Sequence, residues 1–281
     1  MEWRGRRGSR NVEDRRGMRG GAVGGMGIVG VLAVLAFGYF FGIDISPVVQ
    51  GIDQGSPGET RELTAEEQAQ GEMMSVVLAD TEEVWHQVFR EEVGQAYQEP
   101  KLVLFSGMTP TACGTGQAAM GPFYCPGDRS LYLDTQFFKH MAQKMNAGGD
   151  FAAAYVVAHE VGHHVQNLLG ILPQVNKARS QSSERSSNRI SVATELQADC
   201  FAGMWARRAS DRFGTISRQD INDAINAAAA VGDDTLQKAA GRAPVPDSFT
   251  HGSSAERQEW FVRGFEGATL EQCNTFKALG I

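Results

Sequence analysis

Beyond residue 20 this chain has little positive charge. Residues 1–20 hold seven arginines against three acids, and the rest of the 281 residues carry 19 basic against 30 acidic side chains, a net of −11. An acidic body offers no patch for neutralising phosphates, so no nucleic-acid partner is expected. Cysteine is scarce. The four present, Cys113, Cys125, Cys200 and Cys273, include no CxxC pair, which argues against a zinc site built from cysteines. There is no internal repeat, and the QSSERSSN stretch is too short to count as low complexity. Strand-like runs are few: KLVLF after Pro100, and RSLYLD, in which Leu131 and Leu133 share a face. The hydrophobic fraction of 42% and charged fraction of 21% are ordinary for a globular protein. The expected class is therefore α+β and mainly helical, with a small β element.

One long uncharged run is present, GGAVGGMGIVGVLAVLAFGYFFG from Gly20 to Gly42. At about 1.5 Å per residue it is long enough to cross a hydrocarbon core of about 30 Å. It exceeds the apolar core of a signal peptide, and no small-residue cleavage site closes it before Asp44. The expectation is an uncleaved transmembrane helix over 20–43. Arg4, Arg6, Arg7, Arg10, Arg15, Arg16 and Arg19 all precede it, which would keep residues 1–19 as a basic cytoplasmic head. A cell-membrane, single-pass protein follows, with a tether over 44–65 and its working domain, 66–281, outside the cytoplasm. All four cysteines then lie on the exported side, where two disulfides can form. Three pairings are possible; Cys113 with Cys125, closing a Gly-rich loop, and Cys200 with Cys273, tying the chain end to a central helix, are favoured.

Thr64 followed by Glu67 makes a capping box, and apolar spacing then predicts one helix to about Val93. Further helices are expected near 135–146, 151–169, 188–210, 217–230 and 254–266, broken at Gly148, Gly149, Pro173, Gly214 and Gly241.

The strongest chemical signal is AHEVGHHVQ, where His159, Glu160 and His163 form an HExxH motif. Residues four apart on a helix are separated by only about 40° around its axis, so both imidazoles can reach one tetrahedral Zn²⁺. Glu160 is turned by about 100° from His159, out of reach as a ligand but suited to take a proton from a water at the open position. A catalytic zinc needs a third protein ligand, and TELQADCFAG supplies Glu195 with Asp199 one turn later. Glu195 is the candidate ligand, and Asp199 the acceptor for the free ring N–H of a ligand histidine. His164 lies about 140° from His159 and is structural or solvated. His86 and His140 read as surface residues. His251, in a loop leading into a helix capped by Ser253 or Ser254, can lean over a site built elsewhere.

At HExxH plus ExxxD the chain resembles the gluzincin class of metallopeptidases. With NVEDRRG, CGTGQAAMGPFYCPGDRSLYLD, ELQADCFAGMWA and FTHGSSAERQEWF added, it resembles the bacterial neutral zinc metallopeptidase family of single-pass membrane proteins over nearly its whole length. That resemblance implies a zincin-like domain with His159, His163 and Glu195 as ligands and Glu160 as catalytic residue, and names no substrate. HGSSAER resembles, more weakly, a loop of membrane metallopeptidases that process prenylated proteins. This second likeness implies that His251 donates a hydrogen bond to the oxyanion and that Arg257 orients the acidic groups behind the metal.

The expected function is a membrane-anchored zinc metalloendopeptidase acting on a peptide or protein substrate, with the lipid bilayer as its other partner. The strand at Leu131–Leu133 is the expected site for an extended peptide to add at a sheet edge. The rival is a zinc-binding envelope adaptor that performs no hydrolysis. Glu160 and the three-ligand count stand against it, since structural zinc is normally closed by four protein ligands.

Overall fold

The structure, a computed structural model, describes residues 1–17 and 61–281. In chain order the strands are β1 (Val12–Asp14), β2 (Lys101–Phe105), β3 (Met108–Thr111), β4 (Gly114–Gln117), β5 (Phe123–Cys125) and β6 (Ser130–Asp134). The α-helices are α1 (Ala65–Val88), α2 (Gln136–Lys144), α3 (Asp150–Leu168), α4 (Ile171–Ser180), α5 (Glu184–Phe213), α6 (Arg218–Ala230), α7 (Asp233–Ala239), α8 (Ser254–Phe265) and α9 (Thr275–Ala278). The mainly helical arrangement with a small sheet is as expected.

The four-stranded sheet is ordered β1-β2-β6-β5, with β1 and β6 parallel to β2 and β5 antiparallel to β6. Both faces are covered. Leu102, Leu104, Leu131 and Leu133 enter the main core, while Val103, Phe105, Tyr132 and Cys125 form a smaller cluster on the other side. β6 is paired along both edges, so it cannot accept an extended peptide by edge addition. Among the described strands the edges of this sheet are β1 and β5.

α1 begins with the expected capping box: the Thr64 hydroxyl accepts from Glu67 N, and the Glu67 carboxylate accepts from Thr64 N. A π-helical turn carries it on to Val93. α3 is buried almost continuously from Phe151 to Gln166, as a helix apolar on nearly every side must be. It packs against α1, α5 and α6. A Cβ at Gly162 would stand 3.0 Å from the Ala198 carbonyl oxygen and 3.1 Å from Ala198 Cα. Bare backbone at that point lets α3 and α5 come close enough to present side chains to one spot. α8 crosses α5 at a similarly tight place, where a Cβ at Gly264 would meet the Cys200 carbonyl at 2.0 Å.

Three helices do not appear in the sequence pattern. α4 contains Pro173, read above as a break; it is the third helical residue, and the first turn tolerates proline because its N–H has no partner there. α7 buries no residue and so carries no apolar stripe, and α9 is four residues long. The favoured disulfides are both present. Cys113–Cys125 pins the β3–β4 turn to β5, and Cys200–Cys273 ties the C-terminal segment to α5, pairings that an oxidising compartment allows.

The membrane topology needs correction. Residues 20–43, the expected transmembrane helix, lie outside the described residues, and among the described residues no helix is long and apolar enough to cross a membrane. The basic head is also not on the far side of anything. β1 is hydrogen-bonded in register to β2, Glu2 N donates to Thr215 O at 3.0 Å, and buried Arg16 donates to Glu67 O at 2.6 Å. Arg61 N donates to Gly17 O at 2.9 Å, so the two ends of segment 18–60 meet on one surface. A single crossing would separate those ends by the thickness of a bilayer. The single-pass arrangement with a cytoplasmic head beneath an extracytoplasmic domain is therefore overturned, and a bilayer contact through an N-terminal helix finds no support among the described residues.

Trp3 makes this testable. Its side chain is buried in the main core, and its Nε1 donates to Asp150 Oδ2 at 2.7 Å, at the first residue of α3. Trp3→Ala is expected to lower stability by about 3 kcal/mol, read as a reduced urea midpoint. An unchanged midpoint would mean that the head does not dock.

Candidate metal centre

α3 presents His159 and His163 one turn apart, with ring centroids 4.8 Å apart and ring planes at 89°. The Nδ1 atoms of both rings are held from behind. His159 Nδ1 donates to Asp199 Oδ1 at 2.8 Å, and His163 Nδ1 donates to Gln166 Oε1 at 2.9 Å. Their Nε2 atoms consequently converge on Glu195 from α5, at 3.1 Å and 3.4 Å from its carboxylate oxygens. One ligand atom from each of His159, His163 and Glu195 lies within 4.8 Å of the others, and among the described residues this is the group of histidine, cysteine and acid able to hold a metal ion.

The electrostatics favour a cation at this point. Burial opposes protonation of His159, but Asp199 and Glu195 outweigh it and lift its pKa to about 10. His163 is raised in the same way, its burial overcome mainly by Glu195. Glu195, although burial alone would raise it, is held well below the usual carboxylate range by His163 and His159. Two imidazole nitrogens and a carboxylate oxygen, with both tautomers set by second partners, fit zinc with one coordination position left open.

Asp199 and Arg257 sit behind this face as a buried pair. Arg257 Nε donates to Asp199 Oδ2 at 2.8 Å and Nη2 to Oδ1 at 3.0 Å, with side-chain exposures of 4% and 0%. Tyr155 adds a donation from its hydroxyl to Asp199 Oδ1 at 2.5 Å. Burial would raise the Asp199 pKa, but the charges of Arg257 and His159 hold it down at about 2. Asp199 is thus an anion that accepts four hydrogen bonds, three of them on Oδ1. Asp199→Asn is expected to weaken zinc binding by about 10- to 100-fold, measured by competition with a chromophoric chelator; unchanged affinity would remove Asp199 from the site.

Glu160 is buried, and its carboxylate takes no hydrogen bond from any described residue. Burial pushes its pKa up, against the pull of His163 and His159. His251 lies at the rim. Its side chain is about half exposed (51%), and its charge is felt by Glu195.

The other histidines stand apart. His164 is fully buried, donates from Nε2 to Gln98 O at 2.6 Å and accepts from the Tyr124 hydroxyl at 3.0 Å. Burial pushes its pKa down to about 4, so it is a satisfied neutral core residue. His86 pairs with Glu99 at the surface, and His140 lies on α2 and is not in the metal-holding group. Of the cysteines only Cys200 comes near, as the residue after Asp199, and it is in a disulfide.

Two contributors were not singled out from sequence. Gln166 holds His163 and donates in turn to Thr194 O at 2.7 Å and Gln197 Oε1 at 3.0 Å. Tyr155 holds Asp199. Both carried a usable signal, since they stand at i+3 from His163 and i−4 from His159 on the same helix.

Two histidines one turn apart and a glutamate from a second helix are a donor set that a zinc ion can use, and a further carboxylate lies beside them on the same helix as the histidines. The chain belongs to the family described as "Putative neutral zinc metallopeptidase", whose model matches residues 1–276. It is similar to "Uncharacterized protein YpfJ" of Escherichia coli (strain K12), 46% identical over 285 residues covering 98% of this chain and 99% of that protein. It is also similar to "Uncharacterized protein Rv2575" of Mycobacterium tuberculosis (strain ATCC 25618 / H37Rv), 45% identical over 192 residues covering 65% of this chain and 64% of that protein. No solved structure matches the chain.

Proposed function

We propose that this protein is a zinc-dependent metallopeptidase that hydrolyses peptide bonds, with His159, His163 and Glu195 as ligands and Glu160 as general base. The observation that carries this reading is the convergence of the two Nε2 atoms and Glu195 beside a buried carboxylate that takes no hydrogen bond from any described residue. Bound zinc would supply Lewis-acid polarisation and a more acidic water. Glu160 takes the proton from the attacking water and returns it to the departing amine, as a base with a raised pKa can do in both directions. His251 donates to the carbonyl oxygen as it gains negative charge, from a loop that reaches the Glu195 side of the centre. Asp199 and Arg257 do not touch substrate; they hold the His159 ring in one tautomer and orientation.

The adaptor reading is disfavoured by the same geometry, because a structural site would be closed by a fourth ligand and would have no use for an unbonded carboxylate beside it. The test is cleavage of an unfolded protein such as reduced casein by the full chain. Hydrolysis is expected to vanish with a chelator, return with added zinc, and fail in Glu195→Ala. Cleavage that persists in Glu195→Ala at wild-type zinc content would sink the ligand assignment.

A further inference from the structure

His251 is the one member of the proposed machinery that stands on a loop, and a loop histidine needs something to aim it. The partner is Asp233, at the first position of α7, a helix with no trace in the hydrophobic pattern. A single oxygen, Asp233 Oδ2, accepts the backbone N–H groups of Thr250 at 2.7 Å, His251 at 2.7 Å and Gly252 at 3.1 Å. The other oxygen, Oδ1, accepts from His251 Nδ1 at 3.2 Å, and the Thr250 hydroxyl oxygen stands 3.1 Å from the same nitrogen, where it shares that N–H. Asp233 N in turn donates to Gly252 O at 2.9 Å, closing the loop onto the helix end. One carboxylate thus binds three successive amides and the imidazole between them.

The loop so held rests directly on the ligand helix. A Cβ at Gly252 would touch Leu196 at 3.2 Å and Val192 at 3.3 Å, the residues flanking Glu195 on α5. The adjoining Asp234 completes the anchorage. Its Oδ1 accepts from Ser254 N at 2.8 Å and from the Ser254 hydroxyl at 2.9 Å, at the start of the helix that carries Arg257. The His251 ring is the exposed end of this rigid unit. With Nδ1–H turned back to Asp233, Nε2 is the nitrogen left to meet a substrate, and it donates there as the imidazolium, the form that the Asp233 carboxylate favours.

We propose that Asp233 is a positioning residue for the peptidase reaction, acting through His251 by fixing both its loop and the direction of its ring. The inference rests on the peptidase reading, but it predicts a ring geometry that is independent of turnover. In neutral His251 the proton sits on Nδ1 in the wild-type protein, because the carboxylate only accepts. In Asp233→Asn the amide keeps an oxygen for the backbone N–H groups and offers N–H to the ring, so the proton moves to Nε2. Two-bond ¹⁵N–¹H spectra of the full chain labelled at histidine read this directly.

For turnover, with zinc content matched, Asp233→Leu is expected to lower kcat by about 10- to 100-fold, as loss of an orienting partner does. KM stays within about twofold, because binding of the rest of the substrate is untouched. Asp233→Asn, which still holds loop and ring, recovers most of the loss. In a His251→Ala background Asp233→Leu brings no further loss, since the group it aims is gone. The proposal is overturned if the His251 tautomer is the same in wild type and Asp233→Asn, or if Asp233→Leu costs as much without His251 as with it. Should Asp233→Leu fail to fold, the Asn variant and its spectrum decide. Should the wild type cleave nothing, the peptidase reading falls, and the tautomer alone upholds or rejects the Asp233–His251 coupling.

Discussion

Glu160→Gln is expected to fold normally, bind zinc with wild-type affinity and lose about 100- to 10,000-fold in kcat. The size of the loss comes from what the amide cannot do. Gln has the shape of Glu but no affinity for a proton at neutral pH, so it can neither activate the water nor deliver a proton to the departing amine. Folding is spared because Glu160 is buried with no hydrogen-bond donor among the described residues, and burial already disfavours its charge. The proposed ligands are spared because His159, His163 and Glu195 are held by Asp199, Gln166 and one another rather than by Glu160. The measurement is turnover of a quenched peptide at matched zinc content, with chelator-resistant cleavage subtracted. Wild-type turnover in the Gln variant would remove Glu160 as the base.

Arg257→Leu is the second large effect, and it acts on stability and metal together. Removing the guanidinium leaves the Asp199 carboxylate, at 0% side-chain exposure, facing only Tyr155 and His159. Breaking a buried ion pair by deleting one partner typically costs about 3 to 5 kcal/mol, because the other charge stays buried and uncompensated. The sign with pH follows from Asp199. Its folded pKa of about 2 lies below the ordinary carboxylate value of 3.8. The wild-type pair therefore contributes stability that is present above pH 3.8 and lost as pH falls towards 2. The deficit of Arg257→Leu should accordingly be largest near neutrality and shrink on acidification. Asp199→Asn added to Arg257→Leu should recover part of the stability while leaving zinc affinity low, since the His159 ring still lacks its anionic anchor. Chemical denaturation of the four proteins at two pH values reads all of this; a double variant no more stable than Arg257→Leu would show that the pair is not where the energy lies.

Much of the fold was legible because its signals are local. Thr64 and Glu67 set the start of α1 through bonds that span only three residues, and KLVLF and SLYLD formed strands where their apolar residues cluster. What failed depended on partners distant in sequence. VED in the arginine-rich head shows no strand pattern, and it becomes β1 only because β2 offers a free edge. The arginines around it suggested charges left on one side of a membrane, but Arg6 is paired with Asp80 and Arg16 is buried against α1. The alternation in RSLYLD is real, yet both faces of β6 are covered, which no single strand can announce.

The site divides along the same line. The sequence by itself determined that His159 and His163 face one way with Glu160 to the side, and that Glu195 and Asp199 share a face, because helical periodicity is a property of the backbone alone. Only the tertiary structure decided that these two faces meet, through the bare backbone of Gly162 against Ala198. It also decided that Arg257 crosses from a third helix to neutralise Asp199, and that Asp233 stands under His251. Such pairings join residues 18 to 58 positions apart, and nothing in a stretch of chain specifies which distant surface will cover it until the core packs and every buried polar group must find its partner.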